Sequence, residues 1–173
     1  MAGRGVNAAY TTKNQGISVY DPRVIEVTGI SMMMMAQGAD HTTGNAPDHD
    51  CKDKTTEELT AESMTMQVAC AVADCIGICI FGNSVTRPQQ EMIVDTLNEG
   101  LGTKLETSFL NEMACETLKM EWRFNELAGF TCKDDELPAF FYDEPLAPTG
   151  KIARHHATEI KKYRDEWMDM NAG

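Results

Sequence analysis

Residues 68–81 read Val68-Ala69-Cys70-Ala71-Val72-Ala73-Asp74-Cys75-Ile76-Gly77-Ile78-Cys79-Ile80-Phe81, the one long apolar run in a chain of 173 residues. At about 14 residues, with an acid in the middle, it is too short and too polar for a transmembrane helix. Its aliphatic positions continue a helical face that starts upstream, through Leu59, Met64, Val68 and Val72. Thr55 or Thr56 caps that helix, and Glu57 and Glu58 sit favourably at its positive end. Gly77 is where it breaks. No other stretch shows convincing strand alternation, so reading this run as the end of a helix decides the fold class.

The same reading extends outward. Thr86-Arg87-Pro88 opens another helix, with proline near the first helical position. Met92, Ile93, Leu97 and Leu101 follow helical spacing there, and Gly100 and Gly102 end it. Thr107 is placed to cap the longest helix, predicted over 108–127. Phe109, Leu110, Met113, Leu118, Met120, Trp122 and Leu127 form its apolar face and Gly129 its terminator. Residues 130–150, with Pro138, Pro145 and Pro148, read as extended, and residues 155–169 as a polar helix. Upstream, residues 24–37 are a short helix or a buried extended piece, and Met32 to Met35 favour the helix. Asp21-Pro22-Arg23 is a turn, residues 38–56 are a polar loop, and residues 1–15 are a loose lead-in. The expectation is a mainly α, irregular helical domain with long loops.

Composition bounds the function. An apolar content of 42% suffices for one core. A net charge of -12 excludes a nucleic-acid partner, whose phosphates demand a basic surface, and suits a basic one. Residues 1–15 carry Arg4 and Lys13 but no apolar centre, so no signal peptide is read there. Six cysteines without a secretion signal point to a reducing, cytoplasmic compartment. Twelve methionines suit an adaptable interior or a contact surface.

Asp74 poses the chemical question. A carboxylate in apolar company is costly unless something pairs with it or hydrogen-bonds to it. Cys70, Cys75 and Cys79 beside it are inert packing or thiolates held by a metal. Their spacing is no self-sufficient cluster motif, and the chain has no Cys-x-x-Cys. They are therefore either buried structural thiols, or they include one that supplies a single ligand to a cluster held elsewhere. In Gly38-Ala39-Asp40-His41-Thr42-Thr43-Gly44-Asn45, the flanking glycines would let backbone approach a ligand closely. His41 is a proton donor or acceptor near neutral pH, or else a surface histidine on a polar loop. His49-Asp50-Cys51-Lys52-Asp53 reads as a solvated loop. His155 and His156, adjacent on a helix, do not share a face and cannot chelate jointly.

Taken in order, these segments resemble a known family. They are Tyr20-Asp21-Pro22-Arg23, Gly38-Ala39-Asp40-His41-Thr42, Asp74-x-x-Gly77-Ile78-Cys79, Arg123-Phe124-Asn125 with Gly129-Phe130-Thr131, Asp134-Asp135-x-Leu137-Pro138, and Glu144-Pro145-Leu146. The set spans about residues 16 to 148 and resembles the C-terminal part of the tungsten-containing aldehyde ferredoxin oxidoreductase family. That resemblance implies a C-terminal-like helical domain over 16–150, after the lead-in 1–15 and before a divergent helical tail 151–173.

The resemblance also implies chemistry. The family binds a tungsten (or molybdenum) bis-pterin cofactor beside a 4Fe-4S cluster. It oxidises small aldehydes to acids and passes electrons to ferredoxin. Asp74 matches the acid that hydrogen-bonds a pterin, Cys79 the cluster cysteine remote from the other three, and Ile78 and Ile80 the backbone flanking it. His41 matches a histidine near the metal and Thr43 a further pterin contact. Gln37 stands where the pattern has an arginine. The N-terminal pterin-binding part and the three clustered cysteines have no counterpart here. The chain is therefore expected to be a fragment or a split subunit, inactive alone, with the missing part as partner. Two readings stand beside this one. In the first the chain is a non-catalytic helical assembly domain that has lost the cofactor. In the second Cys70, Cys75 and Cys79 serve an independent zinc or redox protein.

Overall fold

Helix α2 (Thr56–Cys75) is the axis around which the other helices assemble. In the computed structural model, which describes residues 10–82, 84 and 87–171, it begins at a capping box. The Glu58 amide donates to Thr55 Oγ1 at 3.2 Å, and the Thr55 amide donates back to Glu58 Oε2 at 2.8 Å. Leu59, Met64, Val68 and Val72 are buried, as their spacing predicts. The helix ends because Gly77 takes a left-handed φ of 74°. The Ile78 amide then donates to Ala73 O at 2.8 Å and the Gly77 amide to Asp74 O at 3.1 Å, which satisfies two terminal carbonyls.

Three helices surround α2: α1 (Glu26–Met34), α4 (Ser108–Leu127) and α7 (Ala157–Asn171). Helix α3 (Gln90–Leu101) lies between α2 and α4 in sequence, and α5 (Cys132–Asp135) and α6 (Phe140–Asp143) are single turns. With one two-stranded hairpin, β1 (Thr11–Thr12) and β2 (Gln15–Gly16), these make the described residues mainly α.

Every residue of α1 is buried, and Met32 to Met35 belong to the interior rather than to a contact surface. The carbonyls at and just past its C-terminal end, which no intrahelical donor reaches, are met from two other elements, the hairpin and α4. Lys13 Nζ donates to Met33 O at 2.7 Å, Trp122 Nε1 to Met34 O at 3.0 Å, and Asn125 Nδ2 to Ala36 O at 2.6 Å. Lys13 also pairs with Asp135 at 2.5 Å, which ties the hairpin to α5.

Several local expectations are corrected. The face of α4 that packs inward is Leu110, Ala114, Cys115, Leu118 and Trp122, whereas Met120 and Leu127 project outward. Thr107 holds the cap position without a side-chain cap bond. Pro88 lies in a 3-10 turn (Arg87–Gln89) before α3, and Thr86 lies outside the described residues. Gly100 is inside α3, and Gly102 (φ 67°) ends it. Residues 130–150 are not simply extended: a Thr131–Asp134 capping box starts α5, and α6 follows Pro138. The lead-in contains the hairpin, and its residues 1–9 lie outside the described residues.

The last helix is fastened through the two histidines before it. His155 is buried, with Nε2 2.8 Å from Glu26 Oε2 and Nδ1 3.0 Å from Thr56 Oγ1. Arg154 reaches the same Glu26 oxygen at 2.6 Å. His156 turns the other way, stacks on Tyr142 and pairs with Glu136 at 3.0 Å. The two imidazoles serve different carboxylates, so they do not chelate together.

Candidate functional site

The C-terminal end of α2 and the chain just beyond it build one cleft with the 36–46 loop. Gly77 reverses the backbone, so Ile78, Cys79 and Ile80 come back past Asp74. Thr42 and Thr43 close the opposite side. The cleft has a volume of about 230 Å³ and is lined by these residues with Cys70 and Ala73. Five of the six residues singled out in the sequence, Thr43, Asp74, Ile78, Cys79 and Ile80, meet here.

Asp74 does not sit in the core. It is exposed, because α2 reaches the surface over its last turn. The desolvation penalty that its sequence context suggested is therefore not incurred. Its carboxylate makes no hydrogen bond or ion pair among the described residues. It also borders a second, larger cleft of about 490 Å³ between the loop and α4, where Cys75, Glu121 and Phe124 stand. Burial and the nearby Asp74 charge push the Glu121 carboxyl up. Sequence pattern gave no sign of Glu121, which lies on α4 beside the core residue Trp122.

None of the three thiols is buried as a purely structural thiol would be. Cys79 is exposed at the cleft. Cys70 is half-buried, and its Sγ lies 3.5 Å from Thr42 O, where it can donate; burial pushes this thiol up. Cys75 is exposed, with Sγ 3.4 Å from Thr117 Oγ1. Among the described residues, no three His, Cys, Asp or Glu side chains converge where they could hold a metal ion. A zinc site of Cys70, Cys75 and Cys79 is thus not what this arrangement makes.

The 36–46 loop is rigidly built. Burial pushes the Asp40 carboxyl up, but hydrogen bonds from Thr42 and Thr43 outweigh it and hold the group below the usual carboxylate range. Gln37 Nε2 donates to Asp40 Oδ2 at 2.6 Å, an internal task for the residue standing in place of an arginine. Gly38 (φ 91°) and Gly44 (φ 78°) admit close approach, as expected, but to protein rather than to a ligand. A Cβ on Gly38 would meet Thr12 O at 2.7 Å, and one on Gly44 would meet Ser31 Oγ at 2.7 Å. Ser31 Oγ in turn donates to Gly44 O at 2.9 Å and lies 2.6 Å from Ser63 Oγ. These buried contacts fasten the loop to α1 and α2.

His41 is exposed on this loop and does not line the cleft. Its Nδ1 is 3.1 Å from Ser18 Oγ and 3.9 Å from Asp40 Oδ1, and its ring stacks on Tyr20 at 5.9 Å. Of the other sequence candidates, Cys51 is buried and His49 lies 3.6 Å from Glu62 within a loop.

The arrangement has a definite chemical capacity. A carboxylate without a protein partner can accept two N–H donors from a flat heterocycle in the cleft. One exposed thiol can supply one thiolate to a cluster that needs four. The donor set fits one side of a cofactor site and lacks the other. No helix among the described residues is long and apolar enough to cross a membrane.

The family model described as aldehyde ferredoxin oxidoreductase, domains 2 and 3, matches residues 2–171. A sequence search of curated proteins gives no match. The chain belongs to the aldehyde ferredoxin oxidoreductase family, and its mainly α fold is that of the family's C-terminal domains.

Proposed function

We propose that this chain forms the C-terminal side of a tungsten (or molybdenum) bis-pterin and 4Fe-4S site in an enzyme that oxidises small aldehydes to acids and delivers electrons to ferredoxin. The observation that carries this is the meeting of Asp74, Cys79, Ile78, Ile80 and Thr43 in one cleft. In this reading the Asp74 carboxylate accepts N–H donors of the pterin, and Thr43 adds a hydroxyl contact. Cys79 supplies one cluster thiolate, and the Ile78 and Ile80 backbone flanks it. His41 exchanges protons at its ring nitrogens where substrate enters, held in orientation by Ser18 and Tyr20. When bound, the metal–pterin group and the cluster supply the two-electron oxidation and the exit of its electrons.

The matched domains carry numbers 2 and 3, so a first pterin-binding domain with three clustered cysteines is the partner this reading requires. That polypeptide would close over the exposed lip of Asp74 and Cys79. The six unpaired cysteines suit a reducing cytoplasm. Taken by itself, the chain is proposed to hold no stoichiometric cluster and to oxidise no aldehyde.

The test is reconstitution. The chain is purified alone and with a polypeptide carrying that first domain, and iron content, pterin content and dye-linked aldehyde oxidation are measured. The complex is expected to gain a four-iron absorbance and activity that the chain alone lacks. Cys79→Ser should lose the iron and Asp74→Asn the pterin. Cluster and activity in the isolated chain, or full iron in the Cys79→Ser complex, would overturn the reading. A folded complex with neither cofactor would favour a non-catalytic assembly domain.

A further inference from the structure

A third cavity, of about 350 Å³, opens between α2, the start of α3, α4 and the end of α7. It shares only Ala73 with the cleft of Asp74 and Cys79. Its volume lies at the small end of ligand pockets, which run from about 300 to 1,000 Å³. Val68, Val72, Ile76, Ile93 and Trp167 give it an apolar body.

The charges around this cavity are unlike those of the rest of the molecule. The chain carries 27 acidic side chains against 15 Lys and Arg, yet among the described residues no acid lines the cavity. Arg87 is the sole charged residue among the described ones there. The other described arginines, Arg23, Arg123, Arg154 and Arg164, each pair with a carboxylate. Among the described residues Arg87 pairs with none, and its one side-chain hydrogen bond there is a 3.7 Å contact to Met66 Sδ. Arg87 is exposed at the mouth of the cavity, and its guanidinium presents five N–H donors in a planar fork, most of them without a protein acceptor among the described residues. The side-chain amides of Gln90 on α3 and Asn111 on α4, which also line the cavity, are likewise without a hydrogen bond among the described residues. The positive end of α3 adds to the field, since Gln90 is its first residue.

We infer that this cavity binds a small monocarboxylate with an apolar body: the carboxylate lies against Arg87, with Gln90 and Asn111 beside it, and the hydrocarbon rests on Val72, Ile93 and Trp167. A planar fork matches a carboxylate with two parallel hydrogen bonds. A single cation with neutral amides suits one negative charge rather than a phosphate ester. The apolar body rejects a bare anion, because the aliphatic surface would stay unfilled. The site is independent of the proposed cofactor role and needs no other polypeptide.

Trp167 provides the readout. Trp122, the other tryptophan, is buried under Arg164 with its ring 4.1 Å from that guanidinium, so its emission should not respond. The full chain is titrated with hexanoate, hexanamide and inorganic phosphate while tryptophan emission is followed, and calorimetry repeats the hexanoate titration. Saturable binding of hexanoate is expected, with hexanamide and phosphate weaker by about tenfold or more, because a charge-assisted bidentate contact is missing in one and the apolar contact in the other. Arg87→Gln should weaken hexanoate by a similar factor and leave the weak binding of hexanamide unchanged. Equal affinity for hexanoate and hexanamide, phosphate binding as tightly as hexanoate, or no saturable signal would overturn the proposal. The ligand comparison uses the unmodified chain, so it decides the matter even if Arg87→Gln fails to fold.

Discussion

Replacing Gly44 by alanine tests whether the 36–46 loop is fastened as tightly as its contacts indicate. Two costs combine there. A left-handed backbone costs an L-residue about 1–2 kcal/mol relative to its relaxed form. The added Cβ would also lie 2.7 Å from Ser31 Oγ and 2.8 Å from Gln67 Cγ, so something must move. What must move is fully buried and hydrogen-bonded: Ser31 to Ser63, and Ser63 to Gln67 at 3.1 Å. Overpacking of this kind typically costs about 1–3 kcal/mol. Gly44→Ala should therefore lose about 2–5 kcal/mol. Gly77 provides the control. Its φ of 74° is nearly the same, but nothing lies within 4 Å of its Cβ position. Gly77→Ala should lose the backbone share alone, about 1–2 kcal/mol. Urea unfolding of both variants, followed by far-UV circular dichroism, gives the difference directly. Equal losses would refute the reasoning, since the loop would then give way without cost and could not hold Thr43 in a fixed place.

Two further outcomes follow from the same contacts. Burial raises the Glu26 carboxyl, but hydrogen bonds and charge from His155 and Arg154 outweigh it, so the group is held below its ordinary value of 4.5. Its contribution to stability is thus fully present above that unfolded value and is lost as pH falls through the lower folded one. Glu26→Gln should be less stable than the unmodified chain near neutrality, and the gap should close on acidification; an unchanging gap in urea midpoints across that range would contradict the assignment. For the thiols, timed alkylation with peptide mapping should label exposed Cys75 and Cys79 first. Cys115, whose thiol burial pushes up, should react only as the chain unfolds, and labelling at the Cys79 rate would show that the α4 seam is open.

Periodicity and caps made the long helices legible. Thr55 with Glu58, the glycine at 77 and the spacing of Leu59, Met64, Val68 and Val72 are local signals, and they locate α2 within a residue or two. Helix α4 was legible in extent but not in orientation. Met120, Phe124 and Leu127 are apolar yet face solvent, and they blur the stripe that Leu110, Leu118 and Trp122 make. The hairpin was not legible, because its two-residue strands are held by Lys13 reaching Met33 and Asp135, contacts between distant parts of the chain. The candidate site divides in the same way. The identities of Asp74 and Cys79 could be read from the motif Asp-x-x-Gly-Ile-Cys. The exposure of Asp74 could not, since it depends on where α2 emerges from the core. Likewise, Gly38 and Gly44 announce a close approach without saying to what; the partners, Thr12 and Ser31, come from other elements.

The fastening of α7 to α1 and α2 also orders events in time. Glu26 and His155 are separated by 129 residues, and Ile160 and Met168 complete the same core as Leu59 and Met64. Ribosomes add about 5–20 residues per second, so α1 and α2 emerge many seconds before the segment that seals them. During that interval the part of α2 that faces α7 and the Glu26 carboxylate lack their final partners, and closing such distant contacts is slow. The nascent chain therefore has a window of vulnerability to aggregation and proteolysis that ends only when residues 153–171 leave the ribosomal tunnel.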